Sequence, residues 1–147
     1  MSDLADLPLI VAADRVAKGE TTAAALLEAV LARMDAVNPV LNVRIWEDRE
    51  RARAAAHAAD QKVKAGQPLG PLHGIPLAHK DMYYQAGKLS TCGSALRQNW
   101  RPSYTATVIE RMAAEGAYVF GGLNMAEFAQ NPTGHNKTFG DCHNPWN

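Results

Sequence analysis

The sequence predicts an α/β fold, and three observations favour this class. Two short apolar runs, at residues 75–78 and 117–120, are predicted to be buried strands. Between them, residues 106–115 carry apolar side chains at helical spacing, so that strand, helix and strand follow in the order of a right-handed βαβ unit. Helical patterns also precede this unit over residues 1–66.

The first 66 residues are predicted to form an N-terminal helical region. A helix over 7–18 begins after Asp6 and ends at Gly19, and a second over 22–37 begins after Thr21 as a possible N-cap. Asn38-Pro39 is predicted to end the second helix, because proline disfavours helical backbone in the residue before it. Its inward side chains are Leu26, Leu27, Val30, Leu31 and Met34.

An extended segment at 40–46 and an alanine-rich helix at 47–65, which Gly66 ends, complete this region. Residues 67–147 are then predicted to be the first part of an α/β core. Residues 82–102 show little periodicity and are predicted to be a long loop, and such loops are more often functional than idle.

The chain is expected to be the N-terminal portion of a larger fold. Residues 130–147 are polar and rich in turn-forming residues, which is an unusual way for a domain to end. A single βαβ unit would also supply only two parallel strands, and so small a sheet exposes its faces.

Composition excludes several functional classes. The formal net charge is zero, from 15 basic and 15 acidic residues, so the sequence lacks the positive charge of a nucleic-acid-binding protein. No apolar run approaches the roughly 20 residues that span a bilayer. The acidic start lacks the basic region of a secretory signal. Two cysteines do not make a disulfide framework, so we expect a cytoplasmic protein.

The segment GPLHGIPLAHKD at 70–81 places Lys80 at the end of the first predicted strand. Ligand and catalytic sites in open α/β sheets lie at the carboxyl ends of strands. A lysine partly withdrawn from water there could act as a neutral amine, because burial disfavours its charged form. The alternative is a surface ion pair of Lys80 with Asp81, which the pattern alone favours.

Four blocks of sequence together resemble the amidase signature family of serine amidohydrolases. They are GPLHGIPLAHKD at 70–81, TCGS at 91–94, ATVIERM at 106–112 with Gly116-Ala117, and NMAEFA at 124–129 with FG at 139–140 and NPWN at 144–147. They occur in the order and at the spacing of that family. The resemblance covers nearly the whole chain and implies a mixed central sheet covered by helices.

The resemblance also implies a Ser-Ser-Lys triad that acts through an acyl-enzyme. The catalytic lysine of the family corresponds to Lys80, whereas its two serines lie in a Gly/Ser-rich segment that follows the NPWN block and is absent from this sequence. Met125 and Phe128 correspond to the segment that lines the acyl-binding pocket, and Ser94 is expected to support the site loop. For these three residues, core packing and a simple turn are equally good interpretations.

The resemblance leaves several functions open. An amide, ester or carbamate hydrolase, the glutamine-hydrolysing subunit of a tRNA-dependent amidotransferase and a non-catalytic interaction fragment all fit the blocks. Met82 and His79 depart from the commonest family pattern and leave the substrate class open.

The expected partners are a small-molecule amide or related acyl substrate and the remaining part of the amidase fold, in the same chain or a second fragment. A homodimer is also compatible, whereas no direct contact with nucleic acid or membrane is expected. The 147-residue chain alone is predicted to be inactive.

No cofactor or metal is expected. His135, Asp141, Cys142 and His143 are a weak candidate metal site, since neighbouring side chains do not easily converge on one ion. Cys142 as a nucleophile lacks a local signature. Gly121-Gly122 suggests phosphate binding, but no phosphate-binding motif follows it.

Overall fold

The computed structural model describes residues 4–146, which contain four α-helices, three strands and three short 3₁₀-helices. The α-helices are α1 (Leu9–Ala17), α2 (Ala23–Leu41), α3 (Arg49–Lys64) and α4 (Thr107–Ala114). The strands are β1 (Arg44–Glu47), β2 (Pro76–Lys80) and β3 (Tyr118–Leu123), and the 3₁₀-helices are Leu4–Asp6, Ala95–Arg97 and Glu127–Ala129. Over this range, every helix is too short or too polar to cross a membrane.

The three strands form one mixed sheet in the order β1–β3–β2. β1 pairs antiparallel with β3, where Glu47 lies opposite Gly121. β2 and β3 run in the same direction, because Tyr118 N–H donates to Ile75 O and Asp81 N–H donates to Leu123 O, both at 3.1 Å. The predicted α/β class and the βαβ unit, here β2–α4–β3, are therefore confirmed.

The predicted end of α2 at Asn38-Pro39 is wrong, because the helix continues through Pro39 to Leu41. Proline removes a single helical hydrogen bond donor, and near the last turn this loss is limited. Asn38 also stabilises the helix end, since its backbone O accepts from Asn42 N at 2.8 Å and its Oδ1 accepts from Arg44 N at 2.9 Å. Asn42, with a φ of 48°, then ends the helix in the left-handed conformation.

Contacts divide the chain into two compact units, each assembled from three segments. The first contains the residues up to Ala36 with Asp48–Leu77 and Arg111–Phe120. The second contains Val37–Glu47, Ala78–Glu110 and the residues from Gly121 onward. Both units draw on residues from each side of position 66, and the predicted division of the chain into 1–66 and 67–147 stays a prediction.

Small and branched apolar side chains form the core of the first unit. Alanines allow the helices to approach closely, and a few leucines supply most of the buried apolar surface. Of the inward side chains predicted for α2, Leu26, Leu27 and Leu31 are buried, while Val30 and Met34 are half-buried. The other buried apolar residues of these helices are Ala12, Val16, Ala23, Ala52, Ala56 and Ala59.

The beginning of α2 is capped by residues that the sequence does not single out. The predicted N-cap Thr21 is wrong: Thr22 Oγ1 accepts from Ala25 N at 3.0 Å. The buried carboxylate of Asp60, on α3, accepts from Ala23 N at 2.7 Å and from Ala24 N at 3.2 Å. A carboxylate at a helix N-terminus satisfies free N–H groups and interacts favourably with the helix dipole.

The second unit contains the carboxyl ends of β2 and β3 and the loops that follow them. The predicted loop at 82–102 is irregular except for the single turn Ala95–Arg97. Residues 130–146 also lack regular structure, as predicted. This unit includes all four predicted site residues, Lys80, Ser94, Met125 and Phe128.

Candidate active site

Lys80 lies at the carboxyl end of β2, where the sequence places it. The chain turns tightly after it, since Lys80 O accepts from Met82 N at 2.7 Å and from Tyr83 N at 3.1 Å. Lys80 is exposed in this structure. Residues 4–146 therefore do not withdraw the lysine from water as the sequence analysis expects.

His79 is buried directly before Lys80, although the sequence marks it as an unusual strand residue. Its Nδ1 lies 3.0 Å from Lys80 O, and a carbonyl only accepts, so we assign the ring proton to Nδ1. The rings of Trp46 and Tyr83 meet the imidazole edge-on, each at a centroid distance of 6.2 Å. Nε2 is buried and has no hydrogen-bond partner among the described residues.

Asp81 follows Lys80 and is completely buried. Its Oδ1 accepts from Trp46 Nε1 at 2.8 Å, and its Oδ2 accepts from both the backbone N–H, at 2.8 Å, and the hydroxyl of Thr91. Its backbone O accepts from Ser90 Oγ and Cys92 N, both at 3.1 Å. The end of β2 is thus bound to β1 and to the loop around Thr91.

The loop Thr91–Ser94, here named the TCGS loop, is tightly packed. Thr91 Oγ1 accepts from Gly93 N at 3.0 Å. Gly93 has a φ of 69°, and a side chain there would lie 2.7 Å from both Met125 O and Asn136 Nδ2. Both the backbone conformation and the space therefore require glycine at this position.

The two buried serines of this region already have hydrogen-bond acceptors. Ser90 Oγ donates to Asp81 O at 3.1 Å. Ser94 Oγ donates to Glu127 Oε1 at 2.5 Å and accepts from Leu96 N at 3.2 Å. Ser94 thus joins the TCGS loop to the 3₁₀-helix Glu127–Ala129, and neither hydroxyl donates to a lysine.

Met125 and Phe128 lie beside the TCGS loop but differ in exposure. Met125 is 3% exposed and packs against Gly93, where an added Cβ would lie 3.1 Å from its Cγ. Phe128 is 39% exposed, and its N–H donates to Cys92 O at 2.8 Å. The structure brings Ser94, Met125 and Phe128 together, and of these Phe128 is the one open to a substrate.

Backbone strain is concentrated around the same loop. Among residues 4–146, four non-glycine residues have a positive φ, and three of them are Cys92, Phe128 and Ala129. Each such residue costs roughly 1–3 kcal/mol and persists only where its surroundings enforce it. Strain of this kind is typical of active sites and ligand clamps, which supports a functional role for this region.

Arg97 is held by aromatic rings beside Phe128. Its Cζ lies 4.5 Å from the centroid of the Trp100 ring and 5.5 Å from that of Phe128. Its Nη1 donates to Tyr84 Oη at 2.9 Å and to Cys92 Sγ at 3.4 Å. The hydrogen bond to Tyr84 is the main reason why the pKa of the Arg97 guanidinium is raised. Arg97 therefore adds a fixed positive charge next to the exposed face of Phe128.

Asn136 attaches the last loop of the chain to this region. Its Nδ2 donates to Gly93 O and to Met125 O, both at 2.7 Å, and its Oδ1 accepts from Thr138 N and Phe139 N, both at 2.8 Å. The amide is 4% exposed and makes all four of its hydrogen bonds with the backbone. It therefore fixes the loop after residue 130 against the TCGS loop.

Asn136→Asp is expected to lower the free energy of unfolding of the full-length protein by about 2–3 kcal/mol, because one oxygen would face two carbonyls without a proton to donate. Urea denaturation of the purified variant measures this change. Asn131→Asp is the matched control, since Asn131 is exposed and its Oδ1 accepts only from the nearby Thr133. An unchanged midpoint for Asn136→Asp would contradict the placement of this loop.

A polar cavity of about 400 Å³ opens beside the 3₁₀-helix Glu127–Ala129. Its lining includes Lys137, His135 and Asp141. His135 Nδ1 lies 2.7 Å from Asp141 Oδ2, and this hydrogen bond is the main reason why the pKa of the Asp141 carboxyl is lowered. Within residues 4–146, no three His, Cys, Asp or Glu side chains converge as metal ligands.

Sequence reasoning missed the residues that organise the loops of the site. The first sequence block includes Asp81 without giving it a role of its own, and nothing in the pattern singles out Trp46, Arg97 or Asn136. Gly122 does carry a signal, because glycine inside a strand often marks the close approach of another group. It lies inside β3, where an added Cβ would be 2.1 Å from Trp46 Nε1. This packing explains the glycine pair better than a phosphate site does.

A comparison with models of protein families matches residues 25–147 to the family described as Amidase. The chain belongs to the amidase family. The matched range contains all four predicted site residues of this amidase and Asp81. The resemblance stated from the four sequence blocks is thereby confirmed.

Among curated proteins, this amidase chain is similar to a glutamyl-tRNA(Gln) amidotransferase subunit of Streptomyces coelicolor. The two are 41% identical over 146 residues, which is 99% of this chain and 29% of that protein. Among solved structures, the native peptide amidase from Stenotrophomonas maltophilia matches with a TM-score of 0.83 and 32% identity, over 99% of this chain and 30% of that one.

A fatty acid amide hydrolase matches this amidase chain with a TM-score of 0.92, over 100% of this chain and 26% of that one. At 20% identity, this likeness shows the fold alone. The amidase-signature type of α/β fold that the sequence predicts is confirmed. The chain spans only about 30% of the length of the relatives that it matches.

Proposed function

We propose that this chain is the front part of an amidohydrolase that hydrolyses carbon–nitrogen bonds of amides through a Ser-Ser-Lys triad. Lys80 is its base, and both serines lie beyond Asn147. The observation that carries the proposal is the family match over residues 25–147, in which Lys80 stands at the carboxyl end of a sheet strand. Substrate-binding roles for Met125 and Phe128 and a supporting role for Ser94 belong to the same proposal.

The chemistry requires that Lys80 is uncharged when the substrate arrives. Its amine accepts a proton from a bridging serine, which in turn takes the proton of the nucleophilic serine. The nucleophile attacks the carbonyl carbon, the amine leaves with a proton, and water then hydrolyses the acyl-enzyme. Backbone N–H groups near the serines stabilise the oxyanion, so residues outside this chain supply part of the rate enhancement.

The hydrogen bonds of the serines in this chain support a nucleophile from outside it. Ser90 and Ser94 are buried and donate to an Asp81 carbonyl and a Glu127 carboxylate, respectively. Ser103 is exposed in the loop before α4. None of these three donates to Lys80, so the bridging and nucleophilic hydroxyls are assigned to the Gly/Ser-rich segment that the family has after the NPWN block.

A second candidate function is favoured by the name of the Streptomyces coelicolor relative, which is part of a glutamyl-tRNA(Gln) amidotransferase. In this case the amide is the side chain of glutamine, and the ammonia released is passed to a tRNA-bound amino acid with the help of partner subunits. The two candidates share the acyl-enzyme chemistry and differ in substrate and partners. Hydrolysis of esters or carbamates would use the same residues.

The test compares the full-length protein that contains this chain with the isolated 147-residue chain. We expect the full-length protein to hydrolyse simple anilides or glutamine, and a fluorophosphonate that reacts with active serines to abolish this and to label a serine beyond residue 147. The isolated chain is expected to show neither turnover nor labelling. Glutamine hydrolysis that needs tRNA and partner subunits would favour the second candidate.

Two results would contradict the proposal. Labelling of the isolated chain with turnover would place the nucleophile among the serines of this chain. A full-length protein that neither hydrolyses an amide, ester or carbamate nor reacts with the fluorophosphonate would instead favour a non-catalytic interaction role.

A further inference from the structure

Asp81 combines complete burial with an unusually large number of hydrogen bonds next to the proposed base. Its carboxylate accepts from Trp46 Nε1 and twice from Thr91. Its backbone N–H donates to Leu123 O on β3, and its backbone O accepts from Ser90 and Cys92. A single residue therefore connects the end of β2 to β1, to β3 and to the TCGS loop.

Stability alone does not account for a carboxylate at this position. A buried charge is expensive to desolvate, and well-packed apolar residues of similar volume often stabilise a fold equally well or better. A carboxylate instead offers direction, because its two oxygens meet donors from two separate segments at defined angles. Oδ1 faces the indole of β1, and Oδ2 faces the backbone and hydroxyl of Thr91.

The neighbouring glycine shows that the indole donor needs a dedicated space. Gly122 on β3 is buried, and an added Cβ would lie 2.1 Å from Trp46 Nε1, the atom that donates to Asp81. Any larger residue at 122 would displace the indole from this position. Two features of separate strands, the missing side chain of Gly122 and the indole of Trp46, thus serve one hydrogen bond to Asp81.

Lys80 and Asp81 point to opposite faces of the strand end, because successive side chains alternate along a strand. Lys80 is exposed on its face, and Asp81 is fixed on the other. A shift of Asp81 would carry the adjacent Lys80 backbone with it and would move the amine at the end of a long side chain. A misplacement of about 1 Å is enough to cost an enzyme about 100-fold in rate.

We propose that Asp81 is the positioning residue of the Lys80 base. It acts through Lys80 by fixing the direction in which β2 presents the amine, and it does not touch the substrate. This inference rests on the proposed function of Lys80, and its test is designed so that the failure of either can be recognised separately.

The test is a double-mutant cycle in the full-length protein with Asp81→Asn and Lys80→Ala. Asparagine keeps the shape but has only one acceptor oxygen, so its NH₂ group must face an N–H or O–H donor on one side. With Lys80 present, we expect Asp81→Asn to lower kcat for an anilide by about 100-fold with little change in KM. With Lys80→Ala, we expect the residual hydrolysis of an activated aryl ester to change by less than about threefold, because the two residues act as one unit.

Three further variants keep the test decisive if Asp81→Asn does not fold. Thr91→Val removes one of the hydrogen bonds to Oδ2 at nearly constant volume, and Thr91→Ser restores the hydroxyl. We expect kcat to fall with valine and to recover with serine. Asp14→Asn, an exposed aspartate on α1 that pairs with Lys18, is the control for a change of charge alone.

The outcomes separate the two hypotheses. An equal loss from the Asp81 or Thr91 substitution with and without Lys80, or no loss at all, would overturn the positioning role and leave Lys80 as the base. Near-normal turnover of Lys80→Ala by itself would instead overturn the proposed function.

Discussion

Lys80→Ala is expected to lower the acylation rate of the full-length protein by about 10⁴-fold, because the triad loses the group that accepts the proton of the nucleophile. The fold should survive this change. Lys80 is exposed at the end of β2, and substitutions at such surface positions usually alter stability by less than about 0.5 kcal/mol. A loss of rate in a protein that remains folded would therefore report on the chemistry.

Lys80→Arg is the informative companion variant, because it keeps the positive charge and most of the length of the side chain. A guanidinium is effectively always protonated, so arginine cannot accept a proton at neutral pH. We expect Lys80→Arg to be as inactive as Lys80→Ala. An arginine variant that retained activity would show that position 80 needs only a charge, as in the surface ion pair considered from the sequence.

Single-turnover kinetics with an anilide measure the acylation step, and circular dichroism with thermal unfolding confirms the fold. Arg101→Ala serves as the control for loss of an exposed cation, since Arg101 contacts only the carbonyl of Gly87 in this structure. Turnover of either Lys80 variant within about threefold of the parent would show that another residue is the base.

The elements of the fold were predictable where local patterns agree with the final packing. The strands β2 and β3 and the helix α4 follow from apolar runs separated by glycine and proline. The end of α2 was not predictable in the same way, because proline normally ends a helix. Here Asn38 satisfies Asn42 N–H and Arg44 N–H beyond the helix, and this depends on the path that the chain takes into β1.

The candidate site was predictable in its motifs and not in the contacts that connect them. Lys80 and the TCGS loop could be marked from the blocks alone. The hydrogen bond from Trp46 to Asp81 spans 35 residues and depends on the register of β1 against β3, which a single sequence does not reveal. For the same reason Gly121-Gly122 suggested a phosphate site, although the structure uses Gly122 to admit an indole.

Gly122→Ala is expected to lower the free energy of unfolding of the full-length protein by about 3 kcal/mol. The new methyl group would lie 2.1 Å from Nε1, 2.5 Å from Cε2 and 2.8 Å from Cδ1 of Trp46, far inside van der Waals contact. Gly122 does not have a positive φ, so alanine is compatible with the backbone and the whole cost comes from this overlap. Urea denaturation of the purified variant measures the change.

A double variant separates the overlap from other effects of the methyl group. Trp46→Ala removes the indole and leaves space beside β3, so Gly122→Ala should cost at least about 2 kcal/mol less in that background than in the parent. An equal cost in both backgrounds would contradict the close approach of the indole to β3. Because the displaced indole also donates to Asp81, Gly122→Ala should lower kcat more than its effect on stability explains, which connects a glycine in β3 to the lysine at the end of β2.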